Sequence, residues 1–350
     1  MLVYLVVGLG LAGIAFCEQL EKGNKTFKVI SDTSQTASLV AGGLYNPVIL
    51  KRFTLAWRAK EHLDMAIPFY AELEKKLDEI INCKLPILRR FNSPEEQNIW
   101  FEASDNKGLG AFLSTRILSN TNTCIDAPFG YGEVLHTGRI DTEKLIRAYN
   151  AYLLQRKLLS AENFNHDEFH VDRNQVSYKS LKARRIVFAE GFGLKQNPYF
   201  KYLPLNGTKG EYLLIKSPFL KEERAIKASI FSIPLGKDLY QVGATYQNND
   251  VTNEPTDLAR KELVKKWDSF IKCDYEIIDQ IAGVRPTVID RRPLVGQHPK
   301  HHNLFVLNGL GSRGVMMAPF ASHGLYDYIE LQRPIDPEMD IARFSKKWFK

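Results

Sequence analysis

The chain has 350 residues, 44% of them hydrophobic and 25% charged. That is enough apolar material for a sizeable core and a length prior of about two domains, and it excludes a long disordered or fibrous chain. The formal net charge of +7 is a modest basic bias that fits a solvated surface, an acidic small molecule or nucleic acid alike. Cys17, Cys83, Cys124 and Cys273 form no C-x-x-C pair, and no Cys/His cluster has zinc-ligand spacing. No metal site is expected, and the cysteines read as small buried hydrophobes in a reducing compartment.

Met1 to Phe16 is apolar enough to imitate a signal peptide, but it lacks a basic leading region and three glycines interrupt it. It is shorter than the ~20 residues of a membrane span. No later segment qualifies, so a cytoplasmic protein without membrane association is expected. Residues 2–7 form a continuous apolar run, the pattern of a strand buried on both faces. Residues 12–21 follow as a helix and 27–31 as a second strand ending at Asp32, the size of one βαβ unit.

Residues 33–50 read as a loop rich in Ser, Thr and Gly, and 56–80 as a long helix that kinks or breaks at Pro68. Ser93-Pro94-Glu95-Glu96 signals a capped helix start. Asp141 caps another helix reaching to about residue 157, and 184–189 is a clear buried strand. Residues 212–215, 228–233 and 239–244 are β-like, 255–272 helical, 304–307 an apolar strand, and 311–332 a glycine-rich turn feeding a final helix.

The order predicts an α/β fold. A Rossmann-type nucleotide-binding domain is expected from residues 1–82, 138–202 and 280–350. An inserted substrate domain built on an antiparallel sheet takes 83–137 and 203–279.

Gly8-x-Gly10-x-x-Gly13 directly follows a predicted strand and opens a predicted helix. Gly8 permits the tight turn, Gly10 lets backbone approach a pyrophosphate, and Gly13 allows close helix packing. The helix N-terminus then faces the phosphates. Asp32 stands where a carboxylate accepts hydrogen bonds from ribose hydroxyls. This motif does not distinguish FAD from NAD.

The next segment does. Ser38-Leu39-Val40-Ala41-Gly42-Gly43-Leu44-Tyr45-Asn46-Pro47 resembles the flavin-lining segment of the D-amino-acid oxidase superfamily. Ala282-Gly283-Val284-Arg285-Pro286-Thr287, Arg292-Pro293-Leu294-Val295-Gly296 and Gly309-Leu310-Gly311-Ser312-Arg313-Gly314 resemble its C-terminal signature. Gly138-Arg139-Ile140-Asp141, Ala189-Glu190-Gly191, Gly207-Thr208-Lys209-Gly210 and Gly243-Ala244-Thr245 lie between, so the likeness is collinear along nearly the whole chain.

The resemblance implies FAD, held by Gly8, Gly10, Gly13, Asp32, Ser38, Ala41, Gly42, Gly43, Leu44, Phe164, Gly191, Gly311, Ser312, Gly314 and Val315. Arg285 matches the arginine that holds a substrate carboxylate, so that the α-hydrogen points at the flavin N5 for hydride transfer. No side-chain base is required if the amine is neutral. A helix N-terminus at Gly311 to Gly314 would stabilise negative charge at the flavin's pyrimidine end, and Arg313 either reinforces this or faces solvent.

Within the superfamily, Gly-Leu-Tyr-Asn-Pro and Gly-Leu-Gly-Ser-Arg-Gly are most similar to the oxidoreductase half of the MnmC-type bifunctional proteins that modify the tRNA wobble uridine. That half is similar to glycine oxidase and removes the carboxymethyl group from carboxymethylaminomethyl-uridine. The chain begins at its first Rossmann strand, so a methyltransferase half is not expected. Glu190 stands where a small residue is usual, and Phe231 where glycine oxidases carry a hydrogen-bonding tyrosine.

A tRNA partner would use Lys51-Arg52, Arg184-Arg185, Lys265-Lys266 and the tail Arg343 to Lys350 with Trp348 and Phe349. The alternatives are an oxidase or dehydrogenase of glycine, sarcosine, proline or a D-amino acid, a NAD-dependent dehydrogenase, and a protein in which FAD is only structural. Oligomeric state is left open.

Overall fold

The computed structural model describes residues 1–32 and 34–344. The predicted tail positions 345–350 lie outside the described residues. Two eight-stranded sheets organise the chain.

The first sheet grows from the earliest apolar run. Leu2–Val7 is flanked in parallel by Phe27–Ser31 and Leu181–Phe188. Leu159–Ala161 extends the parallel set on one side and Leu304–Asn308 on the other. Tyr4, Leu5 and Val6 are fully buried, as expected of a central parallel strand with cover on both faces. Phe169–Val171, Val176–Tyr178 and Leu294–Gln297 complete the sheet as antiparallel additions.

The helices Leu11–Lys22, Thr142–Gln155 and Gly314–Leu331 pack beside it, and Ala59–Leu77 packs on Gly314–Leu331. Asp141 accepts from the Lys144 N–H and Ser93 from the Glu96 N–H, the two caps predicted. Ala59–Leu77 is one helix and passes through Pro68. Of the two outcomes expected at Pro68, a kink or a break, the break does not occur: His62, Leu63, Ala66, Phe69, Tyr70 and Leu73 are buried, and packing against the last helix outweighs the lost backbone bond.

The second sheet runs in the order Glu276–Val288, Leu205–Lys216, Leu239–Gly243, Phe231–Gly236, Ala225–Lys227, Ile87–Arg90, Tyr131–Val134, Leu113–Leu118. It is mixed rather than wholly antiparallel, because Ala225–Lys227 and Ile87–Arg90 pair in parallel. That junction joins strands from two separated stretches of chain, where no hairpin dictates direction. The predicted strand 228–233 is instead a reversal at 228–230, where the Ala228 N–H donates to the Ile230 carbonyl, followed by the first half of the strand Phe231–Gly236.

The predicted helix 255–272 is shorter, Asp257–Asp268. Phe270 and Ile271 leave it to be buried, and the Lys272 N–H reaches the Cys124 carbonyl. Only Cys17 is buried; Cys83 is exposed, and Cys124 and Cys273 are half-buried. Cys17 lies on the buried face of the helix Leu11–Lys22, whereas Cys83 sits on the short strand Asn82–Lys84, and composition does not encode that difference.

We propose the division of the chain at 1–82, 138–202 and 280–350 against 83–137 and 203–279; the strand Glu276–Val288 crosses the line at 280 within the second sheet. Among the described residues no helix is long and apolar enough to cross a membrane. Among them no cluster of His, Cys, Asp or Glu could hold a metal.

Candidate active site

A cavity of about 720 Å³ is bordered by both sheets. Every predicted cofactor residue borders it except Gly13, and so do Arg285 and Arg313. One wall is backbone. At the end of the strand Leu2–Val7 the chain turns through Gly8, whose φ of +94° suits glycine. Gly13 sits behind it: a Cβ there would stand 2.1 Å from the Gly8 carbonyl oxygen, so the missing side chain lets the first helix close onto the turn.

Gly10 has no side chain with which to cap the first helix. The Ser38 hydroxyl accepts from the Leu11 N–H at 3.4 Å, and the Ser31 hydroxyl from the Leu9 N–H at 3.1 Å. Asp32 follows at the strand end, accepting from Ser34 and from Asn163 Nδ2 at 2.9 Å. Phe164 is buried beside it, stacked on Tyr178 at 4.4 Å.

The run from Val40 to Gly43 is held from behind. Its four carbonyls accept in order from Gln241 Nε2, Thr142 Oγ1, Arg139 Nε and the Ile140 N–H. Gly43 has φ +71°, and a Cβ there would stand 1.9 Å from the Ile140 carbonyl oxygen.

The closing turn lies directly against this loop, since Arg313 Nη1 donates to the Asn46 carbonyl at 2.8 Å. Gly311 has φ +55° and nothing within 4 Å of where a Cβ would stand, so it opens on the cavity. The last helix begins at Gly314 without a side-chain cap. Two helix N-termini therefore reach the cavity uncapped by their own leading residues, and partial positive charge faces it from both. Arg313 is held in place by Asn46 rather than turned to solvent, and desolvation lowers its pKa.

Glu190, unexpected beside the Gly8 turn, accepts from Asn197 Nδ2 at 2.8 Å and lies 3.3 Å from His166 Nε2. A Cβ at Gly8 would stand 2.4 Å from the Ala189 carbonyl oxygen, so close packing there is backbone against backbone.

The other wall is one face of the second sheet. Arg285 crosses over Gly210, where a Cβ would stand 1.9 Å from its Nη2. Its Nη1 donates to the Thr245 carbonyl at 3.3 Å, and its guanidinium stands 4.6 Å from the Tyr246 ring centroid. Among the described residues no carboxylate pairs with Arg285 or Arg313. Tyr212 lies across Gly243 in the same way, with a Cβ there 2.5 Å from its Cδ1. Phe231 and Ile233 continue the face.

Tyr212, Tyr246 and Lys227 border the cavity without having been predicted. The alternation of Gly210 and Tyr212 along one strand was the available signal for the first. For Lys227, on a three-residue strand, the sequence carried none.

Glycine turns, a terminal acid on the second parallel strand and a cavity reaching both helix N-termini together suit a dinucleotide with a flat ring, the shape of FAD. The fold and this cavity define a flavin-dependent oxidoreductase. Residues 4–327 match the family described as DAO, FAD dependent oxidoreductase, and the chain belongs to it. FAD is its cofactor, which sets the NAD alternative aside.

The chain is 24% identical to the glycine oxidase of Bacillus subtilis (strain 168), across 58% of this chain and 59% of that one. It is also 24% identical to the tRNA 5-methylaminomethyl-2-thiouridine biosynthesis bifunctional protein MnmC of Campylobacter concisus (strain 13826), across 96% of this chain and 57% of that one. The chain thus spans under three fifths of both curated relatives, 59% and 57%. The fold is shared with glycine oxidase from Geobacillus kaustophilus at a TM-score of 0.78 and 18% identity, covering 98% of this chain and 97% of that one.

Proposed function

We propose that the protein oxidises a glycine-like amine, and that this amine is the carboxymethylamino arm of a modified uridine in tRNA. The observation that carries the first part is Arg285, laid over a bare glycine toward the cavity with no carboxylate partner among the described residues. A guanidinium so placed offers a planar fork to a carboxylate. Tyr246 stacks on it and the Thr245 carbonyl fixes its tilt.

We assign the cofactor to Gly8, Gly10, Asp32, Ser38, Ala41, Gly42, Gly43, Leu44, Phe164, Gly191, Gly311, Ser312, Gly314 and Val315, with Gly13 shaping the turn from behind. FAD, when bound, supplies the two-electron acceptor. Arg285 sets the carboxylate, and with it the neighbouring C–H, on the sheet side of the cavity. Tyr212 and Phe231 form an apolar flank that excludes water from that carbon.

The sheet-side lining holds no carboxylate or imidazole among the described residues. The amine must therefore arrive neutral or lose its proton to water. Loss of hydride and of the amine proton leaves a substrate imine, which water splits into glyoxylate and a free amine. Arg313 and the uncapped helix start beside it would favour negative charge at their end of the cavity. The tRNA part draws on likeness to the MnmC relative across 96% of this chain, and on Phe231, which offers no hydroxyl to a small free amino acid.

The test is anaerobic flavin bleaching by the holoenzyme with glycine, sarcosine, carboxymethylaminomethyl-uridine and an anticodon stem-loop containing it. Bleaching by the uridine forms is expected. Bleaching by free amino acids alone would replace the tRNA reading with the amino-acid one, and no bleaching by any would leave FAD structural.

A further inference from the structure

The same cavity carries cationic side chains remote from Arg285. Lys227 borders it, and so does Lys51 from the loop after the Ala-Gly-Gly run. Lys227 ends a short strand and faces Phe231 across one hairpin and Arg89 across the parallel junction. Its ammonium stands 5.2 Å from the Phe231 ring centroid and donates to the Ser229 carbonyl at 2.9 Å. Among the described residues no carboxylate pairs with Lys227 or Lys51. The neighbouring cations differ, for Arg89 is paired with Glu96 and Lys266 with Glu262. Burial, then Arg89, Lys266 and Lys51, push the Lys227 pKa down to about 8. An ammonium set in this way gains by receiving an anion.

Position decides what kind. The sheet order places four strand steps between the strand of Arg285 and the strand of Lys227. At about 4.8 Å per step the two backbones stand roughly 20 Å apart, and with the guanidinium reaching in over Gly210 and the ammonium toward Phe231 about two steps, roughly 10 Å, remain between the charged heads across the sheet. A free amino acid whose carboxylate lies on Arg285 does not reach Lys227. A nucleotide whose base carries the amino-acid arm extends its sugar and phosphates away from the reacting carbon, and a strand of RNA repeats that charge.

Resting on the tRNA reading above, we infer that Lys227 and Lys51 form a second anion station that takes a backbone phosphate of the RNA while Arg285 takes the carboxylate. Both are positioning residues: they hold the strand and act on the reaction through the pose of the base. Of the other basic pairs, Arg185 is already bound to Glu330 and Lys266 to Glu262.

The experiment compares holoenzyme with Lys227→Gln, Lys51→Gln, the double variant and Lys227→Arg. Two readouts are taken: anisotropy of a labelled anticodon stem-loop without the modification, and steady-state kinetics on the modified stem-loop and its nucleoside. The expected result is a Kd and KM for the stem-loop raised about tenfold per lysine, with kcat far less affected. The stem-loop's advantage over the nucleoside shrinks accordingly, and the slope of log Kd against log salt flattens by roughly 0.7 per lysine removed. Lys227→Arg restores the affinity.

An unchanged Kd and salt slope in the double variant, with wild type still oxidising the stem-loop, overturns this inference and leaves the tRNA reading standing. Wild type that oxidises free amino acids but not the stem-loop overturns both.

Discussion

The two walls of the cavity are built by different means. The first-sheet wall is made of backbone: Gly8, Gly10, the Val40 to Gly43 run and Gly311 present peptide groups and helix ends. The second-sheet wall is made of side chains, Arg285, Tyr212, Phe231 and Lys227, laid over glycines that keep the sheet bare beneath two of them. A backbone wall is rigid and general, suited to a cofactor common to many enzymes. A side-chain wall is where specificity can change by substitution without disturbing the fold.

The sharpest way to break this contrast is Gly43→Ala. Its φ of +71° and the Ile140 oxygen 1.9 Å from the new Cβ leave no room without moving the loop. We predict a stability loss of about 3 kcal/mol or more, with FAD lost on gel filtration; a yellow protein of normal melting temperature would contradict the rigid wall. Next is Arg285→Met on the opposite wall. Flavin content should hold while kcat/KM for the amine falls about 100- to 1000-fold, the cost of an unpaired carboxylate. Equal loss of flavin and turnover would mean that the walls are not separable.

The packing of Ala59–Leu77 on the last helix has a pH-sensitive element. His62 is buried there against Trp57 and Phe320, its Nε2 without a hydrogen-bond partner, and desolvation, with Arg58, Arg313 and Arg292 nearby, lowers its pKa to about 4. The unfolded chain protonates this group from its ordinary value of 6.5 downward while the folded chain resists until about 4. Its contribution is therefore complete above pH 6.5 and is lost as pH falls through that window. His62→Phe should lose about 2 kcal/mol less than wild type between pH 7 and 4.5. Urea midpoints at both pH values decide it, and parallel losses would remove His62 from the account. His298, also lowered to about 4, should leave a residual acid limb in the variant.

The smallest effect is expected at Gly210→Ala, where the new methyl meets the movable end of Arg285 rather than backbone. KM for the amine should rise about tenfold, near 1.4 kcal/mol, with flavin binding and melting temperature close to wild type. A KM that does not move would show that the guanidinium need not lie over that glycine.

The two walls also differ in how far they could be read in advance. The Gly8, Gly10, Gly13 spacing, the strand ending at Asp32 and the Ala41-Gly42-Gly43 run were legible because a turn with positive φ or a close backbone approach demands glycine locally. The flank of Arg285 was less so. Its motif stood out, but the thirteen-residue strand Glu276–Val288 that carries it did not. Gly283 and Pro286 interrupt the β pattern, and Pro is tolerated there because this strand is the edge of its sheet. The uninterrupted helix through Pro68 was hidden for a like reason: its support is a partner helix distant in sequence.

By itself the sequence determined the glycine turn after the first strand, the caps at Ser93 and Asp141 and the apolar runs that become central strands, since each is written in residues close together along the chain. Tertiary structure alone decided that Arg313 meets Asn46 across 267 positions, that Arg285 lies over Gly210, and that Lys227 shares their cavity four strands away. These depend on strand order and register, which arise from the packing of whole sheets and leave no mark on any short stretch of residues.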